Sequence, residues 1–386
     1  MTGPFERIPF KRQNGMLTKK KVHVALIFGG RSGEHDVSLM SARSVLSVLD
    51  PAKYEVSQIG ITLEGKWLTG EDVIGRFEAG KTAGLDAVVV TPDPAEAGIY
   101  VLRDKKLEKL CDIDVFFPLL HGTFGEDGTI QGLFEMANVA YVGAGVAGSS
   151  VGMDKAIFKD VMRMHNIPSV ESILLLRSEI EKNIHAAMVK AEKVGAYPIF
   201  TKPANLGSSV GITKCHNRSD LQEGLMEAAR FDRRVLVEKG VANVREIEVS
   251  VLGNEDPRAS VPGEVLPSRE FYSYESKYID GTSGLVIPAP LPQETTSRIQ
   301  ELAVKAYKAI DAAGMARVDF FVDKESGEVY LNELNTIPGF TKISMYPKLW
   351  GASGISYGEL VDRLIDLAVQ RKGDRDRTSH FYRSQG

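Results

Sequence analysis

The sequence predicts an α/β protein of three successive α/β or α+β domains. Short apolar runs alternate with amphipathic helical stretches along most of the chain. The first of these units reads strand, glycine turn, helix, the opening of a parallel α/β arrangement. A chain of 386 residues also exceeds one ordinary core, at about 150 residues per domain.

Residues 1–21 are polar and basic, with no apolar segment of signal-peptide type. They read as a disordered or tag-like extension, with Met16 a candidate start for the folded part. In the first domain, 22–143, VHVALIFGG is a strand ending in glycines and DVSLMSARSVLSVL carries a helical period. EVSQIGIT and AVVVTP follow as strands, and DVFFPLLHG as a buried strand entering a loop. TIQGLFEMANV is an amphipathic helix, and YVGAGVAGSS is rich in turn residues. In the second domain, 144–238, Lys155 to Met164 reads as a helix stopped by Asn166-Ile167-Pro168. SVESILLL is a strand and EIEKNIHAAMVKAEKVG a single helix. YPIFTKP and SVGITKC are strands flanking a glycine-serine loop, and RRVLVEK closes the domain. The third, 239–386, alternates the strands EIEVSVLG, GEVLP, ARVDFFVD and EVYLNELN with helices over 294–313 and 357–371.

Composition removes several classes of function. A net charge of −4 gives no global attraction to nucleic acid or to an anionic membrane. Any polyanion must instead be met by local cations and backbone N–H groups. No stretch approaches the roughly 18 to 20 apolar residues of a membrane span. The two cysteines, Cys111 and Cys215, lie far apart, which points to a reducing cytoplasm rather than a disulfide framework. Cys215-His216 reads as a surface turn.

The segment ARVDFFVDKESGEVYLNELNTIPGFT carries the most chemistry. A turn at Glu325-Ser326-Gly327 makes its two strands an antiparallel hairpin. Residues two apart on a strand share a face, so Arg317 joins Asp319, and Glu333 joins Asn335. Three oxygen ligands on adjacent strands suit Mg²⁺ that also holds nucleotide phosphates. Arg317 beside them could stabilise charge on a tetrahedral intermediate. A salt-bridged surface hairpin would show the same residues.

In FTKPANLGSSVGI, Lys202 ends a strand before Gly207-Ser208-Ser209 and Gly211, a loop whose N–H groups can approach phosphate. A flexible hairpin tip is the plainer reading. Lys155 in GMDKAIF is a second candidate phosphate contact, or an ordinary exposed lysine. In VLVEKGVANVREIEV, the strand end at Glu238-Lys239 could pair with an adenine edge, and Glu246 could accept from ribose hydroxyls. Glu34 in FGGRSGEHDVSL follows a glycine turn at the C-terminal end of a strand, where α/β proteins bind ligands. A dinucleotide-binding reading also exists, since GGRSG is partly Rossmann-like, but G-x-G-x-x-G is not matched and no acidic residue ends a clear second strand about 20 residues on. His121 sits among glycines in HGTFGEDGTIQG, and Tyr278 follows Lys277 in REFYSYESKYIDG.

Together, GGRSGEHDVSL, HGTFGEDGTIQG, GMDK, TKPANLGSSVG, FYSYESKY, ARVDFF and NELNTIPGFT resemble the D-alanine–D-alanine ligases of the ATP-grasp superfamily, in the family's order from Val22 to about residue 370. The resemblance implies an ATP-grasp fold with the nucleotide between the central and C-terminal domains. It implies that Glu34 holds the ammonium of the first D-alanine, in a network with Ser208 and Tyr278, and that His121 lies nearby. Lys155 and Lys202 would bind phosphates, Glu238 and Lys239 adenine, and Glu246 ribose. Asp319, Glu333 and Asn335 would carry two Mg²⁺ ions, with Mn²⁺ as an alternative. Arg317 and the Gly339 N–H would form the oxyanion site, and Ser344 and Lys277 would hold the second D-alanine's carboxylate.

The implied reaction makes a D-alanyl phosphate, which the second amine attacks to give dipeptide, ADP and phosphate for peptidoglycan precursors. A loop from Glu270 to Asp280, with the glycine-serine loop, would act as the lid. Intact Tyr278 favours dipeptide over depsipeptide. The expected assembly is a homodimer, and the expected partners are ATP and two D-alanines. The competing classes are a depsipeptide-forming relative, a catalytically silent nucleotide-binding module and a dinucleotide oxidoreductase.

Overall fold

Alternation along the first apolar run decides what it can become. Val24, Leu26 and Phe28 point to one face and Ala25 and Ile27 to the other, and all five are fully buried. Such a strand needs cover on both sides. The computed structural model describes residues 21–207, 210–241, 243–266 and 284–379. The expectations for residues 1–20, the Glu270–Asp280 lid, Ser208, Lys277 and Tyr278 lie outside them.

The first sheet contains β1 (Val22–Gly29), β2 (Tyr54–Ile61), β3 (Trp67–Thr69), β4 (Asp86–Val90), β5 (Ile99–Arg103), β6 (Lys106–Cys111) and β7 (Val115–Pro118). Their order is β6-β5-β4-β3-β2-β1-β7. Only β2, β1 and β7 run parallel; from β2 to β6 every pairing is antiparallel. The connections explain the difference. A crossover between parallel strands needs a dozen or more residues. The β2–β3 link is instead a tight turn in which Thr62 N–H donates to Lys66 O. Asp104 and Lys105, both at positive φ, join β5 to β6 as a two-residue hairpin of left-handed residues.

The second sheet holds β8 (Ser172–Leu176), β9 (Ile199–Pro203), β10 (Thr213–Cys215) and β11 (Arg234–Lys239), in the antiparallel order β10-β9-β11-β8. The helix read over EIEKNIHAAMVKAEKVG is two helices, Arg177–Lys182 and Ile184–Ala191. Asn183 takes extended backbone and its side chain accepts from Ala186 N–H, so it caps the second helix instead of continuing the first. Cys215 is buried in the core of this sheet rather than placed on a surface turn, because its side chain is on the helix-covered face.

The third sheet comprises β12 (Val244–Gly253), β13 (Arg258–Ala259), β14 (Gly263–Leu266), β15 (Gly284–Val286), β16 (Gly314–Asp323) and β17 (Val329–Asn335). Its order is β15-β14-β12-β16-β17, with β13 on β12. One face is apolar: Ile247, Val249 and Val251, Ala316, Val318 and Phe320, and Leu331 and Leu334 pack with Ile299, Leu302 and Tyr307 of the helix Gln293–Ala309.

Two helices cross the expected domain limits. Lys155–Met164 buries Phe158 and Met162 in the third sheet's core, although its sequence precedes the second sheet. The last helix, Tyr357–Arg375, covers the first sheet with Leu360, Val361, Leu364 and Ile365. Each such fully buried side chain contributes about 1.5–3 kcal/mol. Arg371 stacks over Tyr141 at 4.1 Å and donates to Gly143 O. The last helix is thereby tied to the close of the first domain. No helix among the described residues is long and apolar enough to cross a membrane.

Candidate active site

The opposite face of the third sheet is polar, and its register brings the acids together. Glu248 on β12 lies across from Asp319 on β16, which lies across from Glu333 on β17. In the next row, Ser250, Arg317 and Asn335 are aligned in the same way. The hairpin and the shared faces expected from the sequence are therefore present. A bulge between Asp319 and Phe320 inserts Asn332 into β17. The bulge keeps the apolar residues on one side while Glu333 and Asn335 stay on the polar side.

Arg317 forks onto Asp319, with Nε to Oδ1 and a terminal nitrogen to Oδ2 both at 2.7 Å. Its Nε also stands 3.0 Å from Glu248 Oε2. Asn335 Nδ2 donates to Asp319 Oδ2 at 3.2 Å. Among the described residues no three His, Cys, Asp or Glu side chains form a metal site by themselves. The donors on this face are the carboxylates of Glu248, Asp319 and Glu333 and the Asn335 amide, all hard oxygens. That set fits Mg²⁺, which keeps few protein ligands and completes its shell with water and phosphate.

Lysines approach from the other side of the cleft. Lys155 begins its helix after Asp154, whose carboxylate accepts from Ala156 and Ile157 N–H. Its Nζ donates to Leu206 O at 2.6 Å, tying the helix to the loop between β9 and β10. Burial pulls the Lys155 ammonium below its usual range, and Glu333 opposes that. Lys202, on β9, pairs at 2.5 Å with Glu238 on the adjoining strand β11.

The first domain supplies the third wall. His121 is buried, and its Nδ1 lies 2.9 Å from Ile337 O. A carbonyl only accepts, so the proton is on Nδ1. Nε2 then accepts from Ser41 Oγ at 2.9 Å. Burial drives the His121 pKa down despite the nearby Glu34, so the ring is neutral at pH 7. Glu126 accepts from Gly122 N–H at 2.8 Å and from Ile337 N–H at 3.0 Å. Both backbone polar groups of Ile337 are thus held by the first domain, two residues before Gly339. Burial first, and Glu34 second, push the Glu126 carboxyl up to about 8.

Glu34 is itself buried, and glycines make room for its carboxylate. A Cβ at Gly122 would stand 2.6 Å from Glu34 Oε2, and one at Gly207 2.7 Å. Gly125 is required for a different reason, since a Cβ there would meet Leu120 O at 2.0 Å. Gly122 has φ +74, so Gly122→Ala both strains the backbone and displaces the acid. We expect about a tenfold rise in the KM for an amino-acid substrate, corresponding to roughly 1.4 kcal/mol, with the KM for nucleotide unchanged. Steady-state kinetics with each substrate varied separates the two, and an equal rise in both would refute the placement of Glu34.

Glu34, His121, Lys155, Arg317, Glu333, Asn335 and Gly339 line one cleft. Asp319, paired with Arg317, and Lys202 and Glu238, paired with one another, do not line it. Lys239 is exposed, Glu246 is one row beyond Glu248 on the same face, and Ser344 hydrogen-bonds Thr341; none of these three lines the cleft. Glu126, Lys159 and Glu248 were not singled out from sequence. A signal existed for each: Glu126 is in the quoted HGTFGEDG, Lys159 is one helical turn from Lys155, and Glu248 is two residues from Glu246 on a strand.

The fold and this cleft define an ATP-grasp carboxylate–amine ligase. Residues 23–144 match the family model described as D-ala D-ala ligase N-terminus, and residues 161–366 the one described as D-ala D-ala ligase C-terminus. The chain belongs to the D-alanine–D-alanine ligase family. A D-alanine–D-alanine ligase of Heliobacterium modesticaldum is 50% identical over 93% of this chain and 98% of its own length. That of Natranaerobius thermophilus is 48% identical at the same coverage. Among solved structures, the D-alanine–D-alanine ligase of Coxiella burnetii superposes with a TM-score of 0.79 at 34% identity, covering 93% of this chain and 97% of that one. A D-Ala:D-Ser ligase of Enterococcus faecalis gives 0.81 at 34% identity, covering 90% and 100%.

Proposed function

We propose that this protein uses ATP to join two D-alanines through a D-alanyl phosphate, with the residues of the cleft in the roles their chemistry suits. The observation that carries this reading is a single cleft faced by the buried acids Glu34 and Glu126, by Lys155 and Arg317, and by the Glu333–Asn335 oxygens. An amino acid needs an acid for its ammonium, and ATP needs cations and oxygen ligands.

Glu34 receives the first D-alanine's ammonium, with Ser208 and Tyr278 in its network and the neutral His121 beside it. Lys155 and Lys202 meet the phosphates, Glu238 and Lys239 the adenine, and Glu246 the ribose. Asp319, Glu333 and Asn335 would hold two Mg²⁺, whose positive charge would offset that of the phosphates. A carboxylate is a poor electrophile, and phosphorylation supplies its leaving group. As the second amine adds, Arg317 and Gly339 N–H stabilise the oxyanion while Ser344 and Lys277 hold the incoming carboxylate. The chain is proposed to act as a homodimer in the cytoplasm, with no nucleic-acid or membrane partner.

ADP release measured with D- and L-alanine, D-serine and D-lactate, with products resolved by mass, tests the reading. We expect release to depend on D-alanine and to match D-alanyl-D-alanine one for one. A dominant D-alanyl-D-serine or depsipeptide product would overturn the substrate assignment.

A further inference from the structure

Lys159 is fully inside the protein, 2% exposed, one turn along the helix from Lys155. Its Nζ stands 3.0 Å from Glu238 Oε1 and 3.3 Å from Val170 O. The other Glu238 oxygen, Oε2, is taken by Lys202 at 2.5 Å. Glu238 is therefore a buried carboxylate between two ammonium groups, one on each oxygen.

A buried lysine is costly, and an apolar side chain at 159 would avoid that cost. Charge counting gives it a purpose. A Lys202–Glu238 pair alone is neutral, and its lysine offers a phosphate little net attraction. With Lys159 included, the three groups carry a net charge of +1. Lys202, whose side chain is 12% exposed against 2% and 4% for Lys159 and Glu238, is the member most open to solvent. Burial alone would raise the Glu238 carboxyl, but Lys159 and then Lys202 outweigh it and hold it at about 2. The acid is thus ionised at neutral pH, and the balance is required.

We propose that Lys159 is a positioning residue for the nucleotide: it neutralises and anchors Glu238, so that Lys202 meets the phosphates with its charge uncancelled. This rests on the reading of Lys202 as a phosphate ligand. The effect is electrostatic and acts on phosphate, not on adenosine.

The ratio of the adenosine Kd to the ADP Kd isolates the phosphate contribution and is measured by calorimetry on the full chain. Lys202→Met should lower this ratio by about tenfold or more, the scale of one charge-assisted contact. An unchanged ratio in that variant overturns the phosphate reading, and this proposal with it. Given a drop in Lys202→Met, Lys159→Met should lower the ratio about tenfold as well, while the adenosine Kd moves less than about threefold. The double variant Lys159→Met with Glu238→Gln removes one charge of each sign and should return the ratio to within about threefold of the parent. A folded Lys159→Met protein with the parent's ratio overturns the role. If Lys159→Met alone does not fold, the double variant decides, because a ratio tenfold or more below the parent's then contradicts charge balance.

Discussion

Glu333→Gln is expected to lower ligase turnover by at least about a thousandfold while leaving the protein folded. Glu333 stands across from Asp319 on the neighbouring strand and lines the cleft. Its amide analogue keeps the shape but not the charge that a divalent ion and a transferring phosphoryl group require. Losing charge stabilisation of that kind costs several kcal/mol of barrier. Side-chain volume is conserved, so the melting temperature of the metal-free protein should shift by no more than a few degrees. Stabilisation of the protein by added Mg²⁺ with ADP should vanish in the variant. ADP formation within a few-fold of the parent would remove Glu333 from the metal site.

Arg317→Met should act on two measurements that are usually independent. Turnover should fall by about 10²–10³, the cost of one missing oxyanion donor. The metal-free protein should also lose about 3–5 kcal/mol of stability, because Asp319 and Glu248 would be left near one another without their shared cation. Added Mg²⁺ with ADP should restore part of that loss in Arg317→Met, since a divalent ion supplies the missing positive charge. Urea unfolding with and without the ion checks this. Unchanged stability would mean that solvent already screens the two acids, and unchanged turnover would return Arg317 to a structural salt bridge.

Much of the site was legible because its motifs are local. Strand periodicity placed Arg317 with Asp319 and Glu333 with Asn335, and the structure sets these pairs on adjoining strands. Lys155 and Lys202 were found from their position beside a helix start and a glycine-serine loop. Glu126 and Lys159 were missed because a lone acid or a lone lysine carries no signal until its partners are known. The partners of Glu126 are Gly122, four residues before it, and Ile337, 211 residues beyond it. Lys159 finds Glu238 on a strand of another sheet.

The sequence by itself determined the alternation of strands and helices, the antiparallel hairpin and the chemical types brought to it, since each depends on spacing over a few residues. It could not indicate the antiparallel half of the first sheet, whose hairpin turns at Asp104-Lys105 lack glycine. Nor could it indicate that the last helix covers the first sheet, or that the helix Lys155–Met164 is buried against the third. Those outcomes were decided by the tertiary structure, because an apolar face records that it must be covered but not by which segment. The same holds for the ionic groups. Whether Glu238 is a ligand, a counter-ion or a solvated acid depends on which charges the fold brings within about 3 Å of it, where Coulomb energies in a low-dielectric interior outweigh any local preference.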